Sequence, residues 1–315
     1  MPALITHHQF ALRVFSKLKK AGIEASDHEM AMIGAQGPDI FFFLRVLPWE
    51  RGESYTSIGS RLHNISPAKL FEAFRSVLNS ERIKYNEMLG YVEGFFCHYA
   101  LDRAAHPYIC WAQQRLAEDD PSYGKSAIQY HFRIESALDT MVLRRETGRL
   151  IKRYDLTNTL PNDSGDRYAT VGRLYRSLLS RLFNTMLPAE LLAHAPGDMR
   201  HALFFMNDKT MMGRRLVFRP VEKLMRRGHF ATSLLRPNHT GDWDYANERH
   251  AEWTNPHDNL QKCNDSFFEL YDFAVNEASD MITEFISALP SGKSMQEITQ
   301  DRGFASDLPG IYEEK

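Results

Sequence analysis

Apolar residues recur along most of this chain at the three- and four-residue spacing of an amphipathic helix. The first apolar stripe joins Phe10, Val14 and Leu18 and ends near Gly22. A second begins after Ser66, where the following proline favours a helix start. The same spacing predicts further helices over residues 81–107, 126–150, 167–186, 199–214 and 262–288. No stretch shows the two-residue alternation of a strand, so the pattern predicts an all-α protein.

These helices are predicted to form one compact multi-helix bundle. At 315 residues with 43% hydrophobic side chains, the chain is long enough to bury a substantial core. We expect a single domain over residues 1–290 and a C-terminal tail over 291–315. Irregular segments are expected over residues 44–62, 111–125, 152–166 and 229–260, the last of which is a long irregular stretch near the C-terminus.

Charge and cysteine content narrow the functional classes. The 38 basic and 40 acidic residues give a net charge of −2, which provides no general attraction for nucleic acid and disfavours a nuclease. Cys97, Cys110 and Cys263 are too few for a disulfide framework or a thiolate zinc site. They suit a reducing compartment, and with no signal peptide or membrane span in the pattern we expect a cytoplasmic protein.

Two of the predicted helices carry polar stripes. His98, Asp102 and His106 are spaced four residues apart, and so are His131 and Glu135. Residues four apart lie one turn from each other on one face of a helix, so the two stripes could face one another. Imidazole nitrogens and carboxylate oxygens are the ligands that Zn²⁺ accepts where cysteine is absent. The spacing therefore predicts a metal site.

The weight of this pattern depends on how often it arises by chance. A histidine followed four residues later by an acid is expected roughly once or twice in a chain of this composition. A second histidine at the eighth position lowers that expectation to below about one in ten. The segment 88–102 is largely apolar, so the stripe is expected to be buried and to need partners. In the alternative without metal, these residues satisfy one another and pair with Arg103 or Arg133.

Three more candidate ligands precede these helices: His7, Asp39 within a Gly-Pro-Asp-Ile-Phe run, and His63. In order and type, the eight residues resemble the zinc-dependent phospholipase C family, whose wider superfamily includes the single-strand nucleases of S1/P1 type. The resemblance is carried by the Met-Pro-Ala opening before His7, by the Gly-Pro-Asp-Ile-Phe run, and by residues 97–109. Its motifs cover roughly residues 1–140.

The resemblance implies a helical fold of the phospholipase C and P1 nuclease type with a cluster of three zinc ions in a cleft. By position, the ligands of one zinc ion would be Asp39, His63, His98 and Asp102. Those of a second would be His106, His131 and Glu135. The third would be held by His7, by Asp102, and by the amine and carbonyl groups of the mature first residue.

The third zinc position is where this sequence departs from secreted members of the family. Those members expose a new N-terminus after a signal peptide is removed, and no such peptide is recognisable here. We hypothesise that Met1 is removed and that the amine of Pro2 takes this role. His8 is an alternative to His7, but on a helix it points about 100° away.

Neighbouring metal ions can clamp both the attacking and the leaving oxygen of a phosphoryl transfer. We therefore expect a zinc-dependent phosphodiester hydrolase of phospholipase C type, in which a zinc-bound hydroxide cleaves a phospholipid headgroup ester. Asp39 is the candidate that orients this nucleophile or accepts its proton while it binds zinc. Two alternatives stay open: a nuclease or other phosphodiesterase on the same scaffold, and a non-enzymatic protein with structural zinc. The sequence does not indicate a quaternary state.

Two segments are candidates for substrate contacts. Within residues 238–256, Asn247, His250 and Trp253 are expected to line the cleft, with an aromatic face for a choline-like cation. The alternative is a packed surface loop with Trp253 anchored in the core. The run Phe41–Phe43 could make a peripheral membrane contact, although core packing is the commoner role of such a run.

Overall fold

The structure, a computed structural model, describes residues 3–46, 53–123, 126–162, 166–207, 216, 230–258, 260 and 262–312. Its helices are α1 (Leu4–Lys20), α2 (His28–Gly34), α3 (Thr56–His63), α4 (Pro67–Ser80), α5 (Tyr85–Asp119), α6 (Ala127–Thr147), α7 (Arg167–Phe183), α8 (Ala189–Leu192), α9 (His194–Met206), α10 (Phe230–Ser233), α11 (Phe267–Ser291) and α12 (Met295–Thr299). The 3₁₀ segments are Gly37–Phe43, Ile151–Arg153 and Leu156–Thr159. Strands β1 (Trp253–Thr254) and β2 (Lys262–Cys263) pair antiparallel. With no other sheet in the described ranges, the all-α prediction is confirmed.

Helix α5 is the central element of the fold. It is 35 residues long and mostly buried, because apolar residues surround its axis instead of forming one stripe. Helices α1, α2, α6, α7 and α11 pack against it. Beside it, Phe71 stacks on Phe96 with 3.8 Å between ring centroids, and Phe74 meets Phe95 edge-on at 5.0 Å. Neither α5 nor any other helix in the described part combines enough length and apolar character to cross a membrane.

Helix α5 continues well past its predicted end near residue 107. It reaches Asp119 with Pro107 in its interior, so the prediction of an irregular segment is wrong for residues 111–119. A proline removes a backbone hydrogen bond and usually ends a helix. Beyond it, three residues at helical spacing continue the buried stripe: Tyr108, Ala112 and Leu116. Tertiary packing therefore outweighs the local signal.

The other predicted helices are found with small shifts at their ends. Helix α4 begins where expected, and the Ser66 side chain caps it by accepting a backbone hydrogen bond from Lys69. Helix α9 begins five residues early, at His194, because Pro196 lies in the first turn, where amides have no helical partner to lose. It ends at Met206, eight residues before its predicted end at 214, which itself lies outside the described residues.

A close crossing of α2 and α5 positions the segment that follows α2. A Cβ added at Gly94 of α5 would lie 1.9 Å from the carbonyl oxygen of Ala31. Just after α2, Gly37 adopts a φ of +53°, and a Cβ there would lie 2.4 Å from the His98 ring. Only glycine allows these approaches, which bring the 3₁₀ segment Gly37–Phe43 against the ligand-bearing part of α5.

The last described residues pack against the core. The Tyr99 hydroxyl, near the middle of α5, donates to the carbonyl of Arg302 at 2.7 Å and lies 3.2 Å from that of Thr299. Phe304 is 1% exposed. Of the region that the sequence pattern suggested as a tail, α12 and the segment around Phe304 therefore pack against the core.

Candidate metal centre

Five elements bring the eight candidate ligands to one place. They come from α1, the first 3₁₀ segment, α3, α5 and α6, and they are His7, Asp39, His63, His98, Asp102, His106, His131 and Glu135. Seven of them are buried, and His63 has 18% of its side chain exposed. Residues that are up to 128 positions apart in sequence thus share one enclosed site, since His7 and Glu135 are both part of it.

The eight residues form three groups, in each of which the ligand atoms lie within 4.8 Å of one another. The groups are His7, Asp39 and His98; His63, His98 and Asp102; and His106, His131 and Glu135. The third group has the membership that the family resemblance implies. The first two share His98, and Asp39 lies with His7 while its Oδ1 is also 3.4 Å from His63 Nε2.

Asp102 belongs to the second group and also contacts His7 of the first. Its Oδ1 is 3.2 Å from His7 Nε2, and its Oδ2 is 3.1 Å from His98 Nε2 and 3.6 Å from His63 Nε2. Burial would raise the pKa of this carboxyl, but the surrounding imidazoles, with that of His98 first, hold its pKa well below the usual range. Asp102 therefore stays ionised and can bridge two metal positions.

Burial disfavours the charged form of each histidine around Asp102 and lowers its pKa, whereas the nearby carboxylates favour the charged form and raise the pKa. For His98 burial dominates and lowers the pKa. For His7 and His63 burial is outweighed by Asp102 and Asp39, which raise both pKa values above the usual one. The carboxylates of Asp102 and Asp39 therefore favour positive charge at His7 and His63.

Helices α5 and α6 meet at the third group. The Nε2 atoms of His131 and His106 lie 3.3 Å and 4.0 Å from Glu135 Oε1. Burial would raise the pKa of Glu135, but nearby positive charge, including that of the two histidines, holds it well below the usual range. On the outer side, His131 Nδ1 lies 3.0 Å from Gln113 Oε1, a buried acceptor on α5. The sequence analysis did not identify Gln113.

Backbone carbonyls orient two further histidines. His63 Nδ1 lies 2.9 Å from the Gly59 oxygen, and His106 Nδ1 lies 3.3 Å from the Phe304 oxygen. When Nδ1 carries the proton and donates it outward, the Nε2 lone pair is left to face the cluster. The sequence analysis missed both contacts, because a backbone acceptor leaves no side-chain signature.

The arrangement fits bound divalent metal ions. The Nε2 atoms of His63 and His98 face each other at 3.3 Å. The Nδ1 atoms of His7 and His98 are buried and have no hydrogen-bond partner among the described residues. Buried polar atoms normally have partners, and a divalent cation would supply one to the imidazole and carboxylate atoms that meet here. In the alternative without metal, Arg103 or Arg133 would pair with these residues. That alternative is disfavoured, because both arginines pair with other acids.

A cavity of about 440 Å³ opens onto the cluster. Its walls are formed by Asp39, Phe42, Ser60, His63, Asn64, Asp102, His106, Ile128, His131 and Phe132. Five of the eight candidate ligands reach this wall, so a molecule in the cavity would touch the metal positions. The remaining wall is apolar or carries neutral hydrogen-bonding groups.

The three residues expected to line the cleft lie elsewhere. Trp253 is 3% exposed and its indole N–H donates to the Asp265 carbonyl at 3.0 Å. The Asn247 side chain bonds to the backbone of its own loop, including the Ala251 carbonyl at 3.0 Å. His250 is exposed on a separate surface and is absent from the cavity wall. The polar groups of this segment are used to hold the loop, so it is the packed loop of the alternative interpretation.

The aromatic run and the N-terminal residues also have distinct places. Phe41 is fully buried, whereas Phe42 and Phe43 are half-buried, and the Phe42 ring stacks on the His63 ring with 5.7 Å between centroids. A peripheral membrane contact of this run stays a prediction. His8 belongs to none of the three groups and interacts with His28 and Thr159, and burial lowers its pKa to about 4. Pro2 lies outside the described residues, so the role of its amine stays a prediction.

No protein-family model matches the chain, and no similar protein was found among curated sequences or solved structures.

Proposed function

We propose that the chain is a zinc-dependent phosphodiester hydrolase of phospholipase C type, which cleaves the headgroup phosphodiester of a phospholipid. The observation that carries this proposal is the convergence of three metal-binding groups beneath one cavity. A structural zinc needs one closed set of four ligands. Groups that share ligands and open onto a cavity favour a catalytic cluster instead.

The donor set favours zinc among the divalent metals. Five of the eight ligands are histidines and three are carboxylates. Mg²⁺ and Ca²⁺ prefer oxygen ligands, whereas imidazole suits Zn²⁺. When bound, zinc supplies Lewis acidity, which makes water more acidic and offsets the negative charge on the phosphoryl oxygens.

We assign to Asp39 the role of orienting the attacking water molecule and accepting its proton. Its carboxylate belongs to the first group and also reaches the cavity wall, so one face is available to a water molecule there. From this place it accepts a hydrogen bond from the attacking water and takes its proton on a carboxylate oxygen as the water oxygen bonds to phosphorus. The P–O bond to the leaving alcohol breaks in the same displacement, and the leaving oxygen takes a proton from solvent water. His63, 3.4 Å away, orients the carboxylate.

The cavity wall supports a substrate with apolar groups next to the phosphodiester. Phe42, Ile128 and Phe132 supply apolar surface to the wall, and Ile128 is 43% exposed. Ser60 and Asn64 supply hydroxyl and amide groups for the polar part of the ester. The wall contains no Lys or Arg among the described residues, whereas nucleic-acid sites neutralise phosphates with those side chains. A lipid ester therefore fits better than a polynucleotide.

The first test uses the full chain purified without chelator. We expect elemental analysis to find about two to three zinc ions per chain, and we expect hydrolysis of bis-p-nitrophenyl phosphate that a chelator abolishes and zinc restores. Phosphatidylcholine vesicles and single-stranded DNA are then compared as substrates. Cleavage of DNA alone would favour the nuclease alternative. A full zinc content without turnover of any phosphodiester would favour structural zinc.

The second test addresses Asp39. Asp39→Asn is expected to lower turnover by at least about 100-fold, while more than one zinc ion is retained. Asp280→Asn, which changes an exposed carboxylate on α11, is the matched control and should leave turnover unchanged. Unaltered turnover of Asp39→Asn at full zinc content would remove Asp39 from the mechanism.

A further inference from the structure

Helix α1 begins without a capping group of its own. Its N-cap residue is Ala3, no side chain caps it locally, and its first turn contains no acid. The first amides of a helix need acceptors. The acceptor of the Thr6 amide is Asp139 Oδ1, which lies 2.8 Å away although the two residues are 133 positions apart in sequence. The Thr6 hydroxyl donates to the same oxygen, also at 2.8 Å.

Asp139 lies on α6 and is completely buried, with 0% of its surface exposed. Its second oxygen, Oδ2, accepts from Nε and Nη2 of Arg236, each at 2.9 Å. Oδ1 therefore binds the start of α1, and Oδ2 is neutralised by a buried guanidinium. Such a carboxylate is held rigidly, because all of its contacts are charge-assisted or doubled.

Asp139 connects two parts of the metal centre that are far apart in sequence. It lies one helical turn beyond Glu135 and two turns beyond His131 on α6. Its partner Thr6 directly precedes His7, whose ring stacks on the His98 ring with 4.3 Å between centroids. One carboxylate thus ties the turn that carries His7 to the helix that carries the third ligand group.

We propose that Asp139 is a positioning residue that caps α1 from α6 and thereby fixes His7 relative to the other ligands. This inference rests on the metal centre of the proposed function. Asp139 is neither among the candidate ligands nor in the cavity wall, so it acts through Thr6. Its loss is expected to weaken metal binding at the group of His7, Asp39 and His98 and to spare the third group.

The test compares Asp139→Asn with the wild-type holoenzyme. An asparagine has one carbonyl oxygen, which can face Thr6 or Arg236 but not both. We expect the affinity for one zinc ion per chain, measured by competition with a chelator, to fall about 10- to 100-fold, as for other residues that orient metal ligands. The affinity for the remaining zinc should stay unchanged. Equal affinity for every zinc ion in variant and wild type would overturn the proposal.

Glu93→Gln is a matched control for the loss of a buried carboxylate. Glu93 also accepts the amide and the hydroxyl of one residue, Ser26, at 2.9 Å and 2.6 Å. Ser26 lies before α2 and is next to no ligand in sequence. We expect Glu93→Gln to keep all zinc affinities. A loss in this control equal to that in Asp139→Asn would mean that the loss of any buried carboxylate, and not the positioning of His7, explains the effect.

A milder pair of variants covers the case in which Asp139→Asn does not fold. Thr6→Val removes the hydroxyl contact and keeps the amide contact, whereas Thr6→Ser keeps both. We expect a selective loss of affinity for one zinc ion in Thr6→Val and recovery in Thr6→Ser. Identical zinc binding by the two variants would contradict the proposal.

Amide hydrogen exchange of the metal-free protein separates this proposal from that of the hydrolase. We expect the peptide over residues 3–10 to exchange at least about 10-fold faster in Asp139→Asn than in wild type, and to be unchanged in Glu93→Gln. If the wild type binds no zinc, the proposed function fails whatever the exchange shows. If zinc binds and exchange over residues 3–10 does not change in Asp139→Asn, only the positioning role fails.

Discussion

His106 Nδ1 lies 3.3 Å from the carbonyl oxygen of Phe304, although 198 positions separate the two residues. The Phe304 ring also packs edge-on against His63, with 5.4 Å between centroids, and against Tyr99, with 4.9 Å. The C-terminal segment therefore forms the wall behind the metal centre and orients one of its histidines.

Removal of the Phe304 side chain is predicted to destabilise the protein strongly. The ring is 1% exposed, so Phe304→Ala leaves a cavity next to two ligand histidines. A buried Phe→Ala change costs about 3–5 kcal/mol. Urea unfolding of the metal-free protein measures this loss without a contribution from bound metal.

Phe273→Ala is the control for Phe304→Ala, because Phe273 lies on α11 with 57% of its surface exposed. We expect a change within about 0.5 kcal/mol there. If the two variants unfolded at the same urea concentration, Phe304 would not be packed as the structure has it.

Gln113→Leu is predicted to weaken zinc binding at the third group. The change leaves His131 Nδ1 without the acceptor that lies 3.0 Å away and removes the constraint on its ring. Loss of such an outer partner lowers metal affinity about 10- to 100-fold. Competition with a chelator measures the affinity.

Two variants test the reason for the Gln113 effect. Gln113→Glu keeps an acceptor for His131 and should bind zinc as tightly as wild type or more tightly. Gln114→Leu changes the neighbouring exposed residue and should have no effect. An unchanged zinc affinity in Gln113→Leu would show that Gln113 does not orient His131.

The parts of the site that sequence predicted best are those set by a single helix. The spacing of His98, Asp102 and His106 fixes their shared face whatever the rest of the chain does, and the structure has them on one face of α5. His7 and Asp39 were identified only through the family resemblance. Their approach to α5 depends on glycine contacts and on a cap from α6, neither of which is a local property.

The pattern of apolar residues could predict neither the short helices nor the hydrogen bonds of the loop around Asn247. Helix α2 has seven residues and α3 has eight, too few for a clear apolar period. The segment around Asn247 combined aromatic and polar residues, which are typical of both a binding loop and a self-bonded loop. The hydrogen bonds of the loop decide between the two, and their partners are known only once the fold is known.

Gly94→Ala is predicted to disrupt the crossing of α2 and α5. The new Cβ would lie 1.9 Å from the Ala31 carbonyl oxygen, a backbone atom that cannot turn aside. We expect a loss of about 3 kcal/mol or more in the free energy of unfolding, since overpacking forces the helices apart. Weaker zinc binding should accompany it, because His98 lies one turn further along α5.

Gly197→Ala is the control for this glycine. It lies within α9, and a Cβ there would meet its nearest neighbour, the Tyr168 ring, at an ordinary 3.7 Å. An alanine in such a helix position stabilises by about 0.5–1 kcal/mol. Equal effects of the two substitutions would contradict the close helix crossing.

The pH dependence of stability is predicted to contain a contribution from Glu93. This carboxyl is 1% exposed, and burial raises its pKa above the usual 4.5, although hydrogen bonds from Ser26 partly oppose the shift. The folded state therefore holds the proton more tightly than the unfolded state. It follows that the stabilising contribution of Glu93 is greatest at low pH and is lost as the pH rises from 4.5 through the pKa of the folded state.

In the variant Glu93→Gln the side chain at this position cannot ionise, so a comparison with wild type isolates this contribution. We expect the stability of wild type relative to Glu93→Gln to fall as the pH rises above 4.5, as measured by urea unfolding of both metal-free proteins. The other ionisable groups are the same in both proteins, so their effect cancels in the difference. A difference that is constant or increases with pH would mean that Glu93 is ionised without cost in the folded state, and that the Ser26 hydrogen bonds outweigh its burial.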